Sequence, residues 1–293
     1  MRINHLAVFT LPTGMIRFYK SNIKYVSDHA VDPDKRRYAD TAEAPRHYLD
    51  VEVYEQSIDS IPRKWDDAVL KYGLPKLNSS GILPWQIQRT YNKLVNAFRA
   101  RDSVRILIHS AYLGHYIGDA HVPLHTTQNH NGQLTDQVGI HGFWESRLPE
   151  LYSEQYSFLV GRAVYIDDPL KEAWQIIKHT HSLTDTVLQS EATLSLSFPS
   201  DRKYSYSRRN NMVMKQYSAE YAAAWHKQMN GMVEQQMKAA ILSTGCFWYS
   251  AWIDAGQPSL ENLPKTKSAS ADKKAEADQD KKYNNGIILG REN

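Results

Sequence analysis

Apolar residues recur three and four positions apart along most of this chain, and very few stretches show the one-by-one alternation that a half-buried strand requires. That periodicity predicts an all-α fold, because residues so spaced share one face of a helix and bury it together. Met15 to Ala30 reads as a first helix, with Pro33 ending it. Pro84 opens a second, whose stripe runs through Ile87, Tyr91, Leu94, Val95 and Phe98. Ser103 is the expected N-cap of a third, with an inward face of Val104, Ile108, Ala111, His115 and Asp119 that stops before Pro123. Asp168 and Pro169 start a helix reaching about Leu188, and Ser207 to Ala255 is expected to be mostly helical with a break near Gly231. Gln128 to Gly139, rich in Asn, Gly and Gln, reads as a loop.

Length alone permits one large domain or two ordinary ones. The patterned region ends near Pro264, where the sequence changes to KTKSASADKKAEADQDKK and offers almost nothing apolar to bury. One domain over residues 1–262 and a flexible charged tail over 263–293 are therefore expected. A formal net charge of +3 does not single out a polyanionic partner. Cys246 is the sole cysteine, which excludes an intrachain disulfide and any cysteine-based zinc knuckle. The most apolar stretch, Ala239 to Ile253, is too short and too interrupted by Ser, Thr and Gly to span a bilayer, so it reads as a buried helix. The opening MRINHLAV lacks the features of a secretory signal. A genuine start there implies the cytoplasm.

Histidines and carboxylates concentrate between His115 and Glu145, in HYIGDAHVPLH and then GIHGFWE. His115 and Asp119 are four apart, which stacks imidazole and carboxylate on one helical face; His141 and Glu145 repeat that spacing. His125 follows just after a helix-ending proline. A His near a carboxylate is more often a hydrogen-bonded core group than a ligand. Five such groups within about thirty residues shift the balance towards a shared cation, because burying them without one is costly. Imidazole and carboxylate donors without cysteine suit zinc. His121 and His130 lie off that face and are expected in solvent or loop roles, while His179 and His181, two apart on a helix, diverge. Trp225, Trp248 and Trp252 are expected in the core. No nucleophile elbow GxSxG and no P-loop motif is present.

HYIGDAHVPLH followed by HGFWE resembles the zinc-dependent phospholipase C and single-strand-specific nuclease superfamily, over Ile3 to about Asp254. The resemblance implies a single multi-helix domain holding three zinc ions, and hydrolysis of phosphodiesters by metal-activated water. It adds Asp34, in DPDKRR, and His47, in HYLD, to the ligand set. The implied metal residues are then Asp34, His47, His115, Asp119, His125, His141 and Glu145, with Asp119 bridging two ions and Asp34 doubling as the base that orients water. Phospholipid or single-stranded nucleic acid is the implied substrate, and Glu145, where the nucleases usually place Asp, tilts it modestly towards phospholipid. The family is exported, which implies a periplasmic or secreted protein whose signal is absent from this sequence.

One departure stands out. The family's mature chain begins with a Trp that binds the third zinc, followed by a ligand His, and this sequence has neither; His5 falls four positions beyond the missing His. Two full zinc sites are expected in the chain as written. The alternatives are a zinc-binding relative impaired in catalysis, and a helical interaction protein without enzymatic activity.

Overall fold

The computed structural model describes residues 1–209 and 212–263, so the tail expected over 263–293 lies outside the described residues but for its first. The described residues are 69% helix and 3% strand, as the periodicity predicts. Its opening half runs through α1 (Arg2–Ala7), α2 (Thr13–Ser21), α3 (Ile23–Asp28), α4 (Asp32–Arg36), α5 (Val51–Tyr54) and α6 (Trp65–Ser80). Two long helices follow, α7 (Leu83–Arg99) and α8 (Ser103–Ala120), then the short α9 (Ile140–Gly142) and α10 (Leu148–Tyr152). After α11 (Pro169–His181) and α12 (Thr184–Ser197), strands β1 (Tyr204–Arg209) and β2 (Met212–Tyr217) precede α13 (Ala219–Gln228) and α14 (Met232–Asp254).

Several boundaries differ from the sequence reading. Met15 to Ala30 is two helices, α2 and α3, parted at Asn22, and Pro33 opens α4 instead of ending its predecessor. A first-turn proline costs nothing, since its missing N–H would have had no helical partner. Asp102, not Ser103, caps α8, its carboxylate accepting from the Arg105 amide at 3.1 Å. The helix begun at Asp168 stops at His181, and α12 resumes at Thr184. The clearest miss is the antiparallel hairpin, in which Tyr204 pairs with Tyr217 and Tyr206 with Lys215. Gly231, left-handed at φ 79°, makes the expected break between α13 and α14.

Buried apolar side chains form two clusters. One gathers Tyr19, Trp85, Phe98, Tyr116 and Trp248 where α7, α8, α11 and α14 meet. The stripe Ile87, Tyr91, Leu94, Val95 and Phe98 belongs to it throughout. The other gathers Leu124, Phe143, Tyr221 and Trp225, with Tyr217 stacked 4.0 Å from the Phe143 ring. Trp225 and Trp248 are core residues as expected, and Trp252 is partly buried with its indole N–H donating to the Pro258 carbonyl at 2.9 Å. The α8 residues Tyr116, Ile117 and Ala120 join the first cluster, while Val122 and Leu124, just beyond, join the second. The segment from His115 to His125 thus crosses the seam between two cores. Among the described residues no helix is long and apolar enough to cross a membrane.

Close helix packing at this seam depends on Gly114. Buried Asn4 donates from Nδ2 to the carbonyls of Val26 and Ala111, both at 3.0 Å, pinning α1 to α3 and α8. A Cβ at position 114 would lie 2.1 Å from Asn4 Oδ1. Gly114→Ala is expected to destabilise the fold by about 1–3 kcal/mol through overpacking, outweighing the roughly 1 kcal/mol that alanine gains in helix propensity. Denaturant unfolding measures this, and an unchanged midpoint would mean that α1 does not approach α8 so closely.

Candidate metal centre

Asp34 projects from α4, a five-residue helix beginning Asp-Pro, and is the least buried of the first group, its side chain 42% exposed. His47 ends a short 3-10 turn, Ala44–His47, and is 1% exposed. His115 and Asp119 stand one turn apart on α8. His47 Nδ1 lies 3.0 Å from His115 Nε2, 3.0 Å from Asp119 Oδ2 and 3.6 Å from Asp34 Oδ1. His115 Nε2 is 3.3 Å from Asp119 Oδ2 and 3.7 Å from Asp34 Oδ1.

The second group is His125, from the 3-10 turn Pro123–Thr126, with His141 and Glu145. His141 belongs to α9, but Glu145 lies in the π-helical turn Phe143–Arg147 that continues it, a widened turn of the kind that recurs at functional sites. His141 Nε2 is 2.8 Å from Glu145 Oε2 and 3.2 Å from His125 Nε2, which is itself 3.3 Å from Glu145 Oε2. In each trio, Asp34–His47–His115 and His125–His141–Glu145, one ligand atom per residue lies within 4.8 Å of the others.

The outer ring nitrogens explain why these atoms converge. His125 Nδ1 donates to the His47 carbonyl at 2.6 Å, and His141 Nδ1 donates to the His130 carbonyl at 3.2 Å. With Nδ1 carrying the proton in both rings, the two Nε2 lone pairs face each other and the Glu145 oxygen. Three electron-rich atoms meeting at one point repel unless a proton or a cation sits among them, and orienting ring N–H bonds of this kind accompany metal-bound histidines. Protons relieve the repulsion when no metal is present. Burial opposes charge on His125, but Asp119 and Glu145 outweigh it and raise its pKa. Burial lowers that of His141. Glu145, despite burial, is held well below the usual carboxylate range by His125 and His141. His47 follows His125: burial opposes its charge, yet Asp119 and Glu43 lift it to about 9. A bound metal would displace these protons.

Asp119 belongs to both groups. It contacts His47 and His115 directly, and against the cost of burial its carboxylate is kept charged by His115, His125 and His47. All seven sequence-predicted metal residues are thus brought together, five of them from the His115–Glu145 stretch and two from the segment before α5. His5 is exposed and outside both trios. His181 bonds Thr126 Oγ1 at 3.1 Å instead.

His121 departs from expectation. It is 5% exposed, not solvated, with Nε2 3.2 Å from Ser243 Oγ, and burial first, then His179, depresses its pKa to about 3. The unfolded chain takes up a proton near pH 6.5 that folded His121 refuses. Its contribution to stability is therefore present above that pH and lost as pH falls towards 3. His121→Phe is expected to flatten the acid limb of a stability-versus-pH curve recorded without metal; an unchanged limb would place that sensitivity elsewhere.

A pocket of about 270 Å³ opens on the trios, lined by Asp34, His115, Asp119 and Glu145 and walled by Trp144 and Met237. A separate polar recess of about 420 Å³ is lined by Tyr48, next in sequence to His47, with Asp50, Asn78, Ser79 and Gln128. Arg36 and Arg46 reach neither the pocket nor the recess. Both are engaged by Glu43, a fully buried carboxylate that the sequence reading missed. Its signal was available, since Glu43 precedes His47 by four residues, the spacing that marked His115 and Asp119.

Fold and site together define a mostly helical protein carrying two adjacent His–carboxylate trios joined through Asp119. No protein-family model matches this chain, and no curated protein is significantly similar to it.

Proposed function

We propose that the protein is a zinc-dependent hydrolase of phosphodiester bonds. The observation that carries this reading is the convergence of lone-pair-bearing nitrogens and carboxylate oxygens into two trios at the floor of an open pocket. The donor set fits zinc: imidazole and carboxylate, no thiolate, with ring tautomers fixed from behind. Asp34, His47 and His115 would hold one ion and His125, His141 and Glu145 another, with Asp119 between them. Zinc so held lowers the pKa of a bound water to near neutral and offsets charge building on phosphorus.

The chain's own residues account for the rest. Asp34, the most exposed carboxylate among the seven, faces the pocket and accepts a proton from the attacking water. Water oxygen bonds to phosphorus as the P–O ester bond breaks, and the proton taken up by Asp34 passes through solvent in the open pocket to the departing oxygen, so no covalent enzyme intermediate is needed. His47, Asp119, His125 and His141, each nearly buried, keep the site's geometry fixed during that displacement.

Two substrates fit this chemistry, and different walls favour each. Trp144 and Met237 beside the metal residues favour a diester with an apolar arm, such as a phospholipid. The amide, hydroxyl and aromatic groups that line the separate recess, beside the Asp50 carboxylate, suit hydrogen bonding and stacking with an unstacked base of single-stranded nucleic acid. The test is zinc content by elemental analysis, alongside hydrolysis of an aryl phosphodiester, a single-stranded oligonucleotide and phosphatidylcholine vesicles. Bound zinc, activity lost on chelation and restored by zinc is the expected result. Zinc without hydrolysis would leave a binding protein only, and no zinc at all would end the proposal.

A further inference from the structure

Behind the first trio lies a carboxylate that touches every segment supplying it. Glu43, 0% exposed, accepts from Arg36 through Nε at 3.1 Å and Nη2 at 3.2 Å, from Arg46 Nη1, and from the Tyr116 hydroxyl. Arg36 is two residues past Asp34 on α4, Tyr116 is next to His115 on α8, and Arg46 precedes His47. His47 itself turns Nε2 towards Glu43 Oε1 at 3.5 Å, an ion-pair distance, and that buried nitrogen makes no hydrogen bond. Arg36 is further fixed by a 3.1 Å bond to the Tyr116 hydroxyl and by lying 4.2 Å over the Tyr112 ring.

A carboxylate on the Nε2 side favours the proton there, which in a metal-bound ring would leave the Nδ1 lone pair to face His115, Asp119 and Asp34. This reverses the arrangement in the second trio, where main-chain carbonyls hold the proton on Nδ1 and expose Nε2. We propose that Glu43 is the positioning residue of the Asp34–His47–His115 centre, locking its three segments together and selecting the Nδ1-ligating form of His47. Glu43 touches no side chain of the second trio, whose link to it runs only through the His47 main-chain carbonyl, so a change at Glu43 should bear chiefly on one centre. Arg36 and Arg46 serve the same clamp and are not substrate-binding groups.

The inference rests on the metal-binding reading, and the two fail differently. Zinc affinities of the full chain are measured by chelator competition, for the parent and for Glu43→Gln, which keeps the shape but turns an acceptor oxygen into a donor against arginine. The expected result is a loss of about 10- to 100-fold at one class of site, the range for removal of a partner that orients a ligand, with the other class unchanged. Equal weakening of both would reduce Glu43 to a general structural role and overturn the inference, as would no weakening at all. A parent chain that binds no zinc would sink the metal reading itself. Should the variant not fold, ¹⁵N spectra of the zinc-loaded parent with labelled histidine decide the matter. One ring protonated on Nε2 and metal-bound through Nδ1, assigned to His47, is expected, and His47 bound through Nε2 would overturn the proposal.

Discussion

Asp119→Asn is expected to reduce phosphodiesterase activity by more than about 100-fold, beyond the upper figure for residues that merely orient a metal ligand. The substitution changes little in size. It removes the one charge that both trios share, carried by an oxygen that lies 3.0 Å from His47 Nδ1 and 3.3 Å from His115 Nε2. Zinc content should fall together with kcat/KM. Parental activity in this variant would remove Asp119 from the site and leave two independent trios.

Chelation should produce the largest change in stability. A ligand present at about 1,000 times its Kd stabilises the state that binds it by about 4.1 kcal/mol. For a domain of this size each kcal/mol moves Tm by about 2–4 °C, so stripping one zinc should lower Tm by roughly 8–16 °C, and stripping both by more. Re-addition of zinc should restore the original value. A Tm indifferent to chelator would instead mean that the histidines are a self-satisfied polar core, the outcome expected of a helical interaction protein.

The helices and the site differ in how much of them could be read from sequence. The stripe on α7 was fully legible, because five apolar residues at helical spacing leave one face to bury, and all five are buried. The hairpin was not. YSYSRR alternates over only its first four residues and MVMKQY does not alternate at all, and α13 and α14 follow at once. The kinked α6 was missed for a related reason, since Gly73 and Pro75 interrupt its pattern. In the site, i,i+4 spacing located the His115–Asp119 and His141–Glu145 pairs, whereas Asp34 and His47 sit in short turns without periodicity and came only through the family resemblance. His121 was misjudged because placement on a single helical face was used to infer exposure. The end of α8 is enclosed nearly all round, so leaving one face means entering another core.

His47 holds two posts at once: its ring serves the first trio, while its carbonyl steers His125 in the second. Every amino acid brings the same carbonyl. Replacing the imidazole at position 47 would therefore strip one centre of a ligand while leaving the other's scaffolding in place, so the two centres are genetically separable although they are structural neighbours. If each trio holds an ion as proposed, a lineage carrying this fold could lose one and keep the other through a single codon change, and an engineer could use the same step to ask what each ion does alone.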